Sequence, residues 1–164
     1  MTIASPTLRF LLRRPAHFIA LGFGSGLAPF APGTFGTLVA IPIAAVLRIY
    51  ASDWVFVACI LLLFALGVWA SEVTSRDLGV ADHGSIVIDE VVAFLIVLYF
   101  VGGEPLRQAF AFLLFRVFDI AKPPPIRQVD ATLKNGFGVM LDDVLAAAYT
   151  LFVFAIVVRV IGSG

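Results

Sequence analysis

Asp89 and Glu90 stand side by side where a polar segment gives way to the apolar run VVAFLIVLYF, and Asp142 and Asp143 stand the same way ahead of VLAAAYTLF. Carboxylates at the edge of an apolar run are costly unless they are paired or bound to a cation. Two acidic helix mouths brought together would form an oxygen-rich cage. Such a cage suits magnesium, a hard cation that takes carboxylate, water and phosphate oxygens. The plainer alternative is helix-end capping, since acids favour a helix N-terminus. Two adjacent acids inside an apolar run exceed what capping needs.

A second constellation reads LLFRVFDIAKPPPIRQVD. Arg116 and Asp119 are three apart and share a helix face, and Lys122 follows three later. A structural reading makes this an ion-pair ladder that holds helices together. The functional reading gives Asp119 a carboxylate role and uses Arg116 and Lys122 to clamp a phosphate, for which the planar guanidinium is well shaped. The segment GFGSGLAPFAPGTFGTL, residues 22–38, leads into a helix. Backbone N–H groups there, around Gly33, Thr34 and Thr37, are suited to holding phosphate, the alternative being a plain membrane-entry loop. It is not a Walker loop, because GxxxxGK[ST] is absent.

Other chemistries are excluded by residue type. The single cysteine, Cys59, lies inside an apolar run, which removes an internal disulfide, a multi-cysteine metal site and a cysteine phosphatase loop. There is no GxSxG elbow, and two histidines are too few for a histidine-rich zinc centre. His17 reads as an interfacial residue. His83, near the acids, is a candidate proton shuttle.

The elements that must position these groups are apolar. Hydrophobic residues make up 61% of the 164-residue chain and charged residues 13%, against about 45–50% and about 25% in soluble domains. Mean hydropathy is +1.06. One soluble domain of this length cannot hide so many large side chains, and a bilayer can. Net charge is zero, so nothing argues for a nucleic-acid partner. The opening segment, MTIASPTLRFLLRRPAHF, lacks a small-residue cleavage site and is read as retained. Five apolar stretches follow: 36–50, 54–70, 91–101, 109–118 and 144–161. The expected fold is all-α, a compact multi-span bundle of four to five apolar helices, re-entrant ones included, forming a single domain over 1–164. Thr37 is a candidate cap for the first stretch. Gly102 should end the third, and Pro123 the fourth.

If the N-terminus is cytoplasmic and all five stretches cross, the inner segments carry Arg9, Arg13, Arg14, Arg76, Arg116, Lys122, Arg127 and Lys134. The outer segments carry only Arg48, Arg107 and Arg159. That bias follows the positive-inside rule and puts nearly all the unusual polar residues on the inner face.

The stretches GFGSGLAPFAPGTFGTL, DHGSIVIDEVVAF, FRVFDIAKPPPIRQVD and NGFGVMLDDVLA, in this order, resemble the bacterial phosphatidylglycerophosphatase A family. The resemblance runs from about residue 17 to residue 150. It implies an all-helical enzyme of the bacterial cytoplasmic membrane that removes the terminal phosphate of phosphatidylglycerol phosphate with magnesium, its active site facing the cytoplasm. It further implies that most of Asp89, Glu90, Asp119, Asp130, Asp142 and Asp143 form the metal and catalytic site. Ala93 departs from the glycine that family members usually carry there.

Together these readings give Asp89, Glu90, Asp142 and Asp143 as the metal set, and Asp89, Asp119 and Asp142 as the catalytic carboxylates. Arg116 and Lys122, with backbone at Gly33, Thr34 and Thr37, are the phosphate contacts. A phospholipid substrate and membrane lipids are the partners, and the residues leave the oligomeric state open. One rival is another lipid-headgroup enzyme such as a CDP-alcohol phosphotransferase, whose DGxxAR-type spacing is absent. Another is a small ion transporter or channel subunit, since intramembrane acids also suit ion paths; here the acids gather at one face. A purely structural membrane subunit is the third.

Overall fold

The protein is described by a computed structural model over residues 6–162, and it is helical with no strand among the described residues. The elements are α1 (Leu8–Leu11), α2 (Pro15–Ala20), a short 3-10 helix (Gly22–Leu27), α3 (Pro32–Tyr50), α4 (Asp53–Leu78), α5 (Ile88–Val101), α6 (Pro105–Ala121), α7 (Ile126–Thr132) and α8 (Gly136–Gly162). Residues 1–5, the start of the segment read as retained, lie outside the described residues.

Three helices, α3, α4 and α8, are long and apolar enough to cross a membrane. Trp54, Leu61 and Leu62 of α4 and Phe152 of α8 point outward, each at least 60% exposed. Large side chains so placed need lipid around them, and the chain is a membrane protein. The other two apolar stretches become shorter helices. α5 has 14 residues and α6 has 17, about 21 and 26 Å at 1.5 Å per residue, short of the roughly 30 Å hydrocarbon core. α5 is shielded by protein. Val91, Val92, Ala93, Phe94, Leu95, Val97 and Leu98 are fully buried, with α3, α4, α6 and α8 packed around it. A helix apolar on every side belongs at the centre of a bundle.

Helix boundaries explain where the polar groups go. α3 starts at Pro32, five residues before Thr37, because proline presets the first helical φ. Thr37 is therefore not a cap. It lies inside the helix and donates to the Gly33 carbonyl at 2.9 Å. Gly102 closes α5 at φ 92, a value that glycine accepts readily. α6 ends at Ala121, ahead of Pro123.

The start of α8 also corrects the sequence reading. Asn135 accepts from the Gly138 N–H at 2.9 Å, a capping contact, and Glu72 of α4 accepts from the Gly136 N–H at 2.8 Å. The helix thus begins at Gly136, and Asp142 and Asp143 project from within it rather than capping its mouth.

These contacts collect the polar helix ends. The starts of α3, α5 and α8 meet the ends of α4 and α6 at one end of the bundle. At the other end, Arg48 of α3 donates to the Leu98 carbonyl of α5.

Candidate functional site

Asp89 and Glu90 occupy the first turn of α5, and Asp143 faces them from α8. One carboxylate oxygen from each lies within 4.8 Å of the other two. Asp89 is 8% exposed, Asp143 3%, and the Glu90 side chain 12%. Asp89 Oδ1, Glu90 Oε2 and Asp143 Oδ2 are enclosed without a hydrogen-bond partner. Buried acceptors left unsatisfied are expensive, and like charges this close repel. A cation bound among them relieves both costs. The donors are all hard oxygens, which suits magnesium, calcium or manganese rather than a thiophilic metal.

Beside this trio lies a guanidinium. Arg116 Nη1 is 2.7 Å from Asp119 Oδ2, 3.7 Å from Glu90 Oε1 and 3.3 Å from Thr37 Oγ1. Arg116 and Asp119 share a face of α6, as their spacing predicts. Thr37 joins because α3 comes very close. A Cβ on Gly33 would collide with Glu90 Oε1, so only glycine permits the approach. Of the expected loop contacts, Gly33 and Thr37 are at the site. The Thr34 N–H is already bonded to the Ala31 carbonyl at 2.9 Å.

Lys122 leaves the ladder that spacing suggests. It is the C-cap of α6, with left-handed backbone (φ 42) ahead of Pro123, where the α region is disfavoured. Its ammonium is thereby turned to Asp142, with Asp130 Oδ1 at 3.3 Å, an oxygen that Lys134 also approaches at 3.5 Å. Burial lowers the Lys122 pKa, but the hydrogen bond and charge of Asp142, with the charges of Asp130 and Asp143, outweigh it and hold the ammonium above the ordinary lysine value. Of the four acids expected at a metal, three converge, and Asp142 is engaged by Lys122.

Neither histidine belongs to the convergent trio. His83 Nδ1 receives the Ser85 N–H at 3.2 Å. His17 is fully buried, stacked on Phe10 and bonded to Asp77 at 2.7 Å and to the Phe10 carbonyl at 2.8 Å. Glu72 belongs to the acidic window that runs to Glu90, but its spacing gives no sign that it fixes the start of α8 and so the height of Asp143 in the bundle. Its partner is 64 residues away, and no local pattern signals that contact.

Comparison with known proteins identifies the family. The phosphatidylglycerophosphatase A family model matches residues 18–158, a span that holds every group just described at the acidic site. A phosphatidylglycerophosphatase A of Haemophilus influenzae is 46% identical over 158 residues, covering 95% of this chain and 97% of the relative. One from Escherichia coli is 39% identical over 140 residues, covering 84% and 80%. A Bacteroides thetaiotaomicron protein, provisionally named a phosphatidylinositol-3-phosphatase, is 38% identical over 161 residues, covering 92% and 100%. No solved structure matches. With the family model spanning most of its length and two relatives of that name aligned over at least four-fifths of both chains, the chain belongs to the phosphatidylglycerophosphatase A family.

Proposed function

We propose that this protein hydrolyses the terminal phosphate of phosphatidylglycerol phosphate to give phosphatidylglycerol and inorganic phosphate. The reaction requires magnesium and takes place at the cytoplasmic face of the bacterial inner membrane. The observation that carries the reading is the convergence of Asp89, Glu90 and Asp143, each with an enclosed, unpartnered oxygen, beside the Arg116 guanidinium. Those three acids would hold magnesium, which when bound supplies Lewis acidity toward a phosphate oxygen. Arg116 binds the phosphate through its planar fork. Asp119 positions Arg116, and Thr37 steadies it from α3. Lys122 is held beside the site by its pairing with the buried Asp142. In the hydrolysis, water's oxygen joins phosphorus as the bond from phosphorus to the glycerol oxygen breaks, and that oxygen leaves as a hydroxyl. The cytoplasmic assignment is supported by the basic residues gathered at the site end of the bundle, against three arginines in the outer segments.

The test is phosphate release by purified protein in detergent, with magnesium and then with excess EDTA. Phosphatidylglycerol phosphate, phosphatidic acid and phosphatidylinositol 3-phosphate are offered in parallel. Magnesium-dependent release from the first, faster than from the others, is expected. No release from well-folded protein, or release unaffected by EDTA, overturns the reading.

A further inference from the structure

We infer that the cleft between α3 and α6 is the acyl-chain site, through which a diacyl lipid phosphate enters sideways from the bilayer. The inference rests on the phosphatase reading above. α3 and α6 both pack on α5 rather than on each other, which leaves a cleft with α5 behind it. A groove of about 440 Å³ runs there, lined by Leu38 and Ile41 of α3 and by Pro105, Phe112 and Leu113 of α6. A second groove, of about 400 Å³, shares Leu113 and runs on along the face of α6, lined by Arg116, Val117, Ile120 and Ala121. The linings are almost wholly apolar, and Leu38, Leu113, Val117 and Ile120 are 42–73% exposed, so the track is open to lipid along its length.

Arg116 decides what occupies it. The same side chain lines the second groove and reaches Glu90, Asp119 and Thr37 at the site. An occupant must therefore be apolar along the groove and anionic at the Arg116 end, which is the chemistry of a lipid phosphate. From Arg116 to Pro105 is 11 residues of helix, about 16 Å, comparable with the hydrocarbon depth of one leaflet, half of roughly 30 Å. A further apolar groove lies between α6 and α8, rimmed by Arg107 and Arg159, but it opens at the far end of the bundle and none of its lining residues belongs to the acidic site.

The test reads binding rather than turnover. Purified protein is irradiated with phosphatidylglycerol phosphate carrying a diazirine in one acyl chain, and labelled positions are mapped by mass spectrometry. Labelling at Leu38, Ile41, Leu113 and Val117 should exceed that at the equally lipid-facing Leu61 and Leu62 of α4 by fivefold or more. Unlabelled long-chain substrate should compete it away, and Leu113→Trp should reduce it severalfold. In assays, Leu113→Trp should raise KM for the long-chain substrate about tenfold while changing a dibutyryl analogue far less. Leu62→Trp should alter neither. Even labelling of all outward helix faces, or labelling concentrated at Phe110 and Phe154, overturns the inference. So do equal losses on long and short substrates. Labelling confined to the α3–α6 cleft without phosphate release upholds the lipid site and overturns the phosphatase reading instead.

Discussion

Arg116 and Asp119, one turn apart on α6, meet at 2.7 Å with their side chains only 15% and 12% exposed. The pairing leaves Arg116 with a fixed direction, because Thr37 and Glu90 hold it from α3 and α5. A lysine at this position keeps the charge but loses the planar fork that addresses several oxygens at once. Arg116→Lys is therefore expected to lower kcat/KM by about ten- to a hundredfold, the range for losing a group that orients a charged site. The loss should fall mainly on KM if Arg116 binds ground-state phosphate. An unchanged KM and kcat in steady-state assays would remove the clamp from the mechanism.

The acidic trio carries a prediction about stability that needs no substrate. Asp89, Glu90 and Asp143 bring carboxylates together in a nearly dry site, so neutralising one should relieve repulsion when no metal is present. In EDTA, Asp143→Asn is expected to unfold at a higher temperature than the natural protein, followed by tryptophan fluorescence in detergent. With magnesium the order should reverse. Saturation at a hundredfold over Kd stabilises a binding-competent protein by about 2.7 kcal/mol, and the variant lacks one of the three ligands. Phosphate release by Asp89→Asn or Asp143→Asn should fall by at least about a hundredfold. A magnesium-induced shift of equal size in both proteins would count against these acids as the metal site.

What the residues revealed on their own, and what they did not, follows from where each partner sits. The Arg116–Asp119 pair was legible because both residues lie on one helix, where spacing fixes the face. The ends of α5 and α6 were legible from Gly102 and Pro123 for the same local reason. The start of α8 was not. It is set by Asn135 nearby but also by Glu72 across the bundle, and a tertiary hydrogen bond has no sequence period. The earlier start moved Asp142 and Asp143 from the helix mouth to its interior, where successive side chains point about 100° apart. One of them then faces α5 while the other meets Lys122. The direction of Lys122 was also hidden, since it depends on a left-handed backbone at a single residue. α5 reads as a short apolar stretch, and only the packing of four neighbours shows why a helix of 14 residues is adequate there.

The Lys122–Asp142 pair offers a way to separate positioning from metal binding. Asp142 is 4% exposed and Lys122 about a quarter exposed, so removing either partner strands a polar group and should cost about 1–3 kcal/mol. Asp142→Asn and Lys122→Met are each expected to lower the unfolding temperature, and the double variant to lower it by less than the two losses combined. The sign with pH follows from Lys122, whose folded pKa is raised. Its stabilising contribution is complete below the unfolded lysine value, about 10.4, and is lost only as pH rises through the higher folded value. Between pH 6 and 9 the difference in unfolding temperature between Lys122→Met and the natural protein should therefore stay level. Asp142→Asn should retain the magnesium-induced stabilisation that Asp143→Asn loses. If Asp142→Asn abolished that stabilisation as well, Asp142 would rank with Asp89, Glu90 and Asp143 as a ligand, and Lys122 would be the counter-ion that such a ligand displaces when the cation binds.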